Sequence, residues 1–369
     1  MYILLALFLP YAIWLSYQLL GFKTYRLTSS KAKTREIVGV YHIHSVFSDG
    51  HKHPDKIAKI ASSVSLDFII LTDHGNPNHK CLQSQGWKEG VLVLAGSELS
   101  VNRGHLVALA FNLPLSHFSH NAEEAAQQIS ALEGFSLIAH PYSKVSWSWG
   151  KSFCYQGLEI INGDSILRKN FFSSLPYLPA VLAKPKYVLL KMMDDPCQNL
   201  KKWDELNNNH SVYGYFSTDA HLLYRSLFSL LQLHLLLKNP LASDFQKAKN
   251  QVYDTLRKGK FYNAIDAAAE ARGFRFLAKK GKKTILMGET SILDSPVTLR
   301  IIAPFPFAKE IHLLRNGKTI LRSTKRRVSF KAAHPGTYRV EVYLREKTPL
   351  DENIPWIISN PIFLGEDKG

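Results

Sequence analysis

At 369 residues and 46% hydrophobic content the chain can bury a core and divide into two domains, which excludes a disordered chain. Its three widely spaced cysteines, Cys81, Cys154 and Cys197, exclude a disulfide framework and a zinc ribbon. A formal net charge of +16 suits acidic partners such as phosphoesters, nucleic acid or an anionic membrane surface, without choosing among them.

The first stretch, Met1–Phe22, contains no charged side chain and has the length of a hydrocarbon-spanning helix. No basic residue precedes it and no small-residue cleavage site closes it, so the expectation is an uncleaved, single-pass N-terminal anchor and a membrane protein. Lys23, Arg26, Lys31, Lys33 and Arg35 then form a basic linker over 23–37, which by charge would hold the C-terminal side of the anchor in the cytoplasm.

From Val38 onward, short apolar runs alternate with helical stretches. The runs are Val38–Tyr41, Phe68–Leu71, Val91–Ala95, Leu106–Phe111, Ser136–Ala139, Gly157–Ile161 and Val212–Phe216. Between them Pro54–Ser63 and Ala122–Leu132 have helical spacing, with Asn121 as the N-cap of the second. Strands alternating with helices imply a parallel α/β sheet or barrel, here over 38–274. Phe171–Met193, broken by Pro176, Pro179 and Pro185, reads as a helical insertion. After Arg275 the helical pattern gives way to short β-rich runs separated by Asn316-Gly317 and Pro335-Gly336 turns, which predicts a small all-β sandwich over 275–369.

The chemistry gathers where apolar runs end. The first run leads into YHIHSVFSDG, in which His42 and His44 stand two residues apart and so share one face of a strand. Asp49-Gly50 turns the chain and can bring the Asp49 carboxylate back to them. Leu71-Thr72-Asp73-His74 ends the second run, Gly96-Ser97-Glu98 the third, Ala139-His140-Pro141 the fifth and Ser217-Thr218-Asp219-Ala220-His221 the seventh, while His105 opens the fourth. In parallel α/β folds the C-terminal strand edge is the functional face, so ligands dispersed in sequence meet there. Imidazoles and carboxylates without thiolates favour Zn, Mn or Fe.

Taken in order, HIHSVFSDG, TDHG, GSELS with a downstream His, AHP and STDAH resemble the polymerase and histidinol phosphatase (PHP) superfamily over roughly 38–222. The resemblance implies a distorted (β/α)7 barrel with a trinuclear metal centre. One ion would be held by His42, His44, Glu98 and Asp219, a second by Asp49, His74 and His221, and a third by His105 and His140 with Glu98 bridging. His117 and His120 compete with His105 for its place. Further on, Gly273-Phe274-Arg275-Phe276, the PGTYRVE stretch from Pro335 and the PWIISNPI stretch from Pro355 resemble the tail of carbaryl-hydrolase-like metallohydrolases (the CehA/McbA type). That likeness implies an Ig-like sandwich packed on the barrel, with Trp356 at the interface or in the core, and an exported location opposite to the one the charge rule implies.

The expected function is metal-dependent hydrolysis of a small anionic substrate, most simply a phosphoester. Glu98 and Asp219 are the carboxylates on which turnover depends, and Arg103, close after Glu98, is the guanidinium for the phosphate; Arg168 and Lys144 are weaker choices. Asp73 beside His74 is either an orienting carboxylate for a ligand imidazole or a strand-end cap. Carboxyl ester or carbamate hydrolysis and a non-catalytic metal-binding barrel are the alternatives. Neither G-x-S-x-G nor a P-loop is present, and no nucleic-acid-binding motif accompanies the positive charge.

Overall fold

The computed structural model describes residues 2–22, 35–113, 116–142, 146–150, 154–304, 308–344 and 348–366, so Lys144 and linker residues 23–34 lie outside the described residues. Glu36–Tyr41, Phe68–Leu71 and Val91–Ala95 pair in parallel, and Gln232–Leu236 and Phe261–Ala264 extend this sheet antiparallel on its other side. Every residue of the three parallel strands is buried, as their apolar sequences, interrupted only by Glu36, require of strands covered on both faces. Gly39 pairs with Phe68, and a Cβ on it would stand 2.4 Å from the phenyl ring, so the two strands meet there only because Gly39 has no side chain.

A second sheet orders Ser97–Val101, Gly104–Leu109, Phe135–Ile138, Gly157–Asn162 and Tyr213–Ser217. Its first two strands form an antiparallel hairpin and its last three are parallel. Among the described residues the two sheets join through isolated bridges, Ile43 to Ala220 and His74 to Glu98. Of the expected distorted (β/α)7 barrel the described residues show the coarser part, a mixed α/β arrangement of two sheets meeting at two seams. His42 (φ 63°) and Asp219 (φ 48°) adopt the left-handed region beside one seam, and such backbone does not prolong a ladder.

The expected helices are present. Pro54–Ser63 buries Pro54, Ile57, Ala58 and Ala61, and Ala122–Ala131 buries Ala122, Ala125, Ala126 and Ile129, the one-stripe spacing of helices laid on a sheet. Asn121 caps the second by accepting from the amides of Glu123 and Glu124. The insertion forms Phe171–Ser174, Leu178–Ala183 and Pro185–Met192, interrupted near its prolines.

The N-terminal expectation is overturned. No helix among the described residues is long and apolar enough to cross a membrane. The helix Tyr2–Leu20 contains Pro10, and its C-terminal half docks on the insertion. Tyr11 Oη donates to the Pro176 carbonyl at 2.5 Å, Tyr187 Oη donates to Gln18 at 3.2 Å, and Lys184 Nζ donates to the Leu19 and Phe22 carbonyls. Leu15 and Phe22 are buried. Tyr11 and Gln18, two of the polar side chains that interrupt the apolar run, are bonded to the folded protein, and the membrane localisation inferred from Met1–Phe22 falls with the anchor.

After residue 275 every described element is a strand. Asn316 (φ 51°) and Gly317 (φ 75°) make the hairpin turn between Ala308–Arg315 and Lys318–Ser323. Ile357–Ser359 pairs with both Gly336–Leu344 and Phe261–Ala264, so the first sheet runs on into the C-terminal strands. Trp356 lies buried at this junction, its Nε1 donating to the Ala269 carbonyl at 2.8 Å.

Candidate metal centre

The strand ends bring the predicted ligands to one place, and Glu98 stands at its middle. Glu98 is 1% exposed, and its Oε2 lies 3.2 Å from His42 Nε2, 3.1 Å from His44 Nε2 and 3.3 Å from His74 Nδ1. Its Oε1 lies 2.9 Å from His105 Nδ1 and 3.2 Å from His140 Nε2. Asp219 Oδ1 approaches His42 and His44 at 3.4 and 3.2 Å. Asp49 reaches back from its turn, with Oδ1 at 3.3 Å from His44 Nδ1 and Oδ2 at 3.2 Å from His221 Nε2 and 3.7 Å from His74 Nε2. His105 takes the place contested by His117 and His120; His120 is exposed and its Nδ1 faces the Ser100 carbonyl instead.

The turn that carries Asp49 is held from behind. A Cβ on Gly50 would stand 2.2 Å from the His44 carbonyl oxygen, so the close approach admits glycine alone. Asp73 does not orient His74; it accepts from Ser45 N, Ser45 Oγ and Ser48 Oγ, each at 2.7 Å, and so braces the loop between His44 and Asp49. Three of the candidate ligand residues, His42, His140 and Asp219, have positive φ. Backbone strain of this kind costs about 1–3 kcal/mol per residue and persists where surrounding contacts enforce it.

Glu159 is the residue that sequence reasoning missed. It is fully buried in the strand Gly157–Asn162, where it accepts from Tyr41 Oη at 2.5 Å, His42 Nδ1 at 2.6 Å, His140 N at 2.9 Å and Asn162 Nδ2 at 2.8 Å. It therefore fixes which nitrogen of His42 carries the proton and leaves Nε2 turned to the cluster. The signal was a lone glutamate inside the apolar run GLEIIN, where an unpaired carboxylate would be prohibitively costly.

Arg103 is not brought to the cluster. Its guanidinium pairs with Glu123 at 2.7 Å and donates to the Ser148 carbonyl at 2.8 Å. Arg168, on the helix Gly163–Lys169, is exposed and pairs with Asp164, which is the main influence favouring its charged form, ahead of Asp219 and Asp49.

The electrostatics fit divalent cations. Burial opposes charge on His44, yet Asp219, Asp49 and Glu98 together raise its pKa to about 11. Burial likewise opposes charge on His42, and Asp219, Glu159 and Glu98 overcome it. Glu98 is held well below the usual carboxylate range by His42, His105 and His140 against the opposing effect of burial. These carboxylates demand positive charge in their midst. Moreover His42 Nε2 and His44 Nε2 are buried without a hydrogen bond, although they face the carboxylates. Subsets such as His44, Asp49, His74 and His221, or His42, His44 and Glu98, place their ligand atoms within 4.8 Å of one another. The donor set is all imidazole and carboxylate, which suits Zn, Mn or Fe.

No family model matches the chain. Over 123 residues, 31% of this chain and 70% of the relative, it is 27% identical to an uncharacterized protein (MJ1587) of Methanocaldococcus jannaschii. It is similar in shape to a two-domain protein from Bacteroides vulgatus described as containing a predicted PHP-like metal-dependent phosphoesterase. That likeness covers 92% of this chain and 97% of the other, with 14% identity and a TM-score of 0.43. It is also similar to an amidohydrolase from Chromobacterium violaceum with bound sulfate and no metal, over 50% of this chain and 87% of that one, at 15% identity and a TM-score of 0.32. Likenesses of this size do not carry a shared chemistry.

Proposed function

We propose that the protein is a metal-dependent hydrolase of the PHP superfamily acting on phosphoesters. The observation that carries this reading is Glu98: one carboxylate with imidazoles converging on both oxygens, the arrangement needed to hold two cations side by side. His42, His44 and Asp219 would complete one site, Asp49, His74 and His221 a second, and His105 and His140 a third. Bound divalent ions would supply an acidified water and polarise the scissile group. Glu159 holds the His42 imidazole with its free nitrogen inward, and Asp73 keeps the Asp49 turn closed. Arg168, exposed and paired with Asp164, would be the guanidinium available to an anionic substrate if that pair opened.

The finer placement among carbaryl-hydrolase-like enzymes rests on the C-terminal motifs, and the buried junction around Trp356 supports it. A second reading, carboxyl ester or carbamate hydrolysis, is favoured by one observation: the guanidinium expected for phosphate, Arg103, is already paired with Glu123. Metal analysis of the purified protein, coupled to a panel of nucleotides, sugar phosphates, aryl esters and aryl carbamates, separates these readings. Bound transition metal with turnover confined to phosphoesters supports the first; metal with turnover of esters or carbamates alone supports the second. A protein that takes up no divalent ion refutes both.

A further inference from the structure

The strand Tyr213–Ser217 leads into Asp219 and His221 and ends its sheet, with Gly157–Asn162 on one side and no laddered strand on the other among the described residues. The residues of that free edge are nevertheless buried, and a buried backbone amide needs a partner. Ala220 N donates to the His42 carbonyl at 3.2 Å and Thr218 N to the Tyr41 carbonyl at 3.1 Å. Farther back along the same edge the partners are side chains. Phe216 N donates to Asn263 Oδ1 at 2.7 Å, and Gly214 N to Asn360 Oδ1 at 2.9 Å.

Asn263 also donates from Nδ2 to the Gly214 carbonyl at 3.0 Å. One carboxamide thus answers the C=O before Tyr215 and the N–H after it, the rung that a parallel strand would place there. The strand that carries it, Phe261–Ala264, cannot offer that rung from its backbone, because Gln232–Leu236 and Ile357–Ser359 occupy its two edges. Asn360, next after Ile357–Ser359, is tied to the same strand by Nδ2, which donates to the Phe261 carbonyl at 3.3 Å. Both asparagines are fully buried.

We propose that Asn263 and Asn360 are positioning residues for the metal centre, standing in for the missing strand and so fixing where Asp219 and His221 are presented. The consequence for metal rests on the reading of the cluster as a cation site. Asp219 Oδ1 has to reach His42 and His44, which follow a strand of the other sheet. The register between the two sheets therefore sets the distance between these ligands. Asn263 belongs to the sheet that leads into His42 and His44, and its amide holds the strand that leads into Asp219. Through Asn360 the C-terminal strands take part in the centre without supplying a ligand.

The test titrates the full chain, stripped of metal, with Co²⁺ and follows thermal melting on the same samples. Asn263→Ala and Asn360→Ala should each weaken Co²⁺ binding about tenfold, the scale of losing a support behind a ligand. Should Asn263→Ala fail to fold, Asn360→Ala carries the test alone, since it removes one bond to the strand instead of two. Ser359→Ala is the control. Ser359 Oγ accepts from Val340 N at 2.8 Å, a buried bond of the same kind one residue from Asn360 that does not touch Tyr213–Ser217. It should lower the melting temperature as the asparagine variants do and leave Co²⁺ binding unchanged. Combined with Asp219→Asn, Asn360→Ala should weaken Co²⁺ binding no further, whereas combined with His105→Ala it should keep its full effect. A loss of affinity no larger than in Ser359→Ala, or equal in both combinations, makes the asparagines structural and overturns the proposal. A wild type that takes up no Co²⁺ refutes the metal centre and the positioning role together. Turnover does not enter the titration, so wild type that binds Co²⁺ and cleaves no phosphoester refutes the proposed reaction alone.

Discussion

The strand Glu36–Tyr41 has a buried histidine–carboxylate cluster at each end, and the two are built differently. At its start, Glu36 accepts from Tyr262 Oη at 2.5 Å and Arg275 Nη1 at 2.7 Å, and lies 3.1 Å from His234 Nδ1. The other nitrogen of His234 faces Asp266 at 3.3 Å. Arginine, tyrosine and imidazole donors together answer the two carboxylates, so the cluster is closed upon itself. Past the strand's other end, His42 and His44 turn buried, unbonded Nε2 atoms toward carboxylates that no Lys or Arg hydrogen bond answers among the described residues. Burial of charge is common to both. Buried imidazole nitrogens left without a hydrogen bond belong to one, and they separate a site that needs a cation from a clasp that does not.

The largest effect that would sharpen this contrast is expected at Glu98. Glu98→Gln keeps the size and removes the charge that offsets bound cations. Metal content should drop and hydrolysis fall by several orders of magnitude with the circular dichroism spectrum unchanged. Near-native activity at full metal occupancy would remove Glu98 from the centre. Gly50→Ala comes next. A Cβ at 2.2 Å from the His44 carbonyl must push the Asp49 turn outward, and a displacement of about 1 Å at a reacting centre can lower rate about 100-fold. Steady-state kinetics on the variant reads this directly, and an unchanged kcat would show that Asp49 is not needed in place.

Glu159→Gln should weaken metal affinity by about 10–100-fold, since it loosens the orientation of His42 without removing a ligand. Competition against a chromogenic chelator measures it, and the Glu36→Gln variant serves as the control. At the closed end, that same Glu36→Gln should leave metal affinity and rate untouched while lowering stability by about 3 kcal/mol, the scale of a broken buried pair. Loss of metal from Glu36→Gln would break the comparison on its other side.

The smallest expected effect is on the pH dependence of stability. Burial opposes charge on His234, but Asp266 and Glu36 raise its pKa from 6.5 to about 9. Its contribution is therefore complete below pH 6.5 and is lost as pH rises through about 9. Burial likewise opposes charge on Glu36, yet His234, Arg275 and Tyr262 lower it from 4.5 to about 2, so that contribution is complete above pH 4.5 and lost as pH falls toward 2. The clasp is strongest between these limits. Thermal melting should show wild type losing stability from pH 6.5 to 9, and His234→Gln should flatten that slope; an unaltered slope would assign the loss to another group.

The local pattern of the sequence determined most of the elements and nearly all of the cluster. Unbroken apolar runs specify strands buried on both faces, and a ligand residue at the end of such a run can only stand at the sheet edge, so His42, His74, Glu98, His140 and Asp219 were legible from position alone. Glu159 was not: its place in an apolar run shows that it must be paired, but its partners Tyr41 and His42 come from the end of a strand in the other sheet. Nor could the partners of Arg103 and Arg168 be read, since it takes the folded chain to bring one to Glu123 and the other to Asp164. The N-terminal helix shows the same division. Its apolar composition suggested a membrane, whereas the partners of Tyr11, Gln18 and the Leu19 and Phe22 carbonyls, all more than a hundred residues away in sequence, decided that it lies against the protein. Sequence sets what each segment must bury, because that depends on its own side chains. Which charges are matched depends on contacts between distant segments, and only the tertiary structure supplies those.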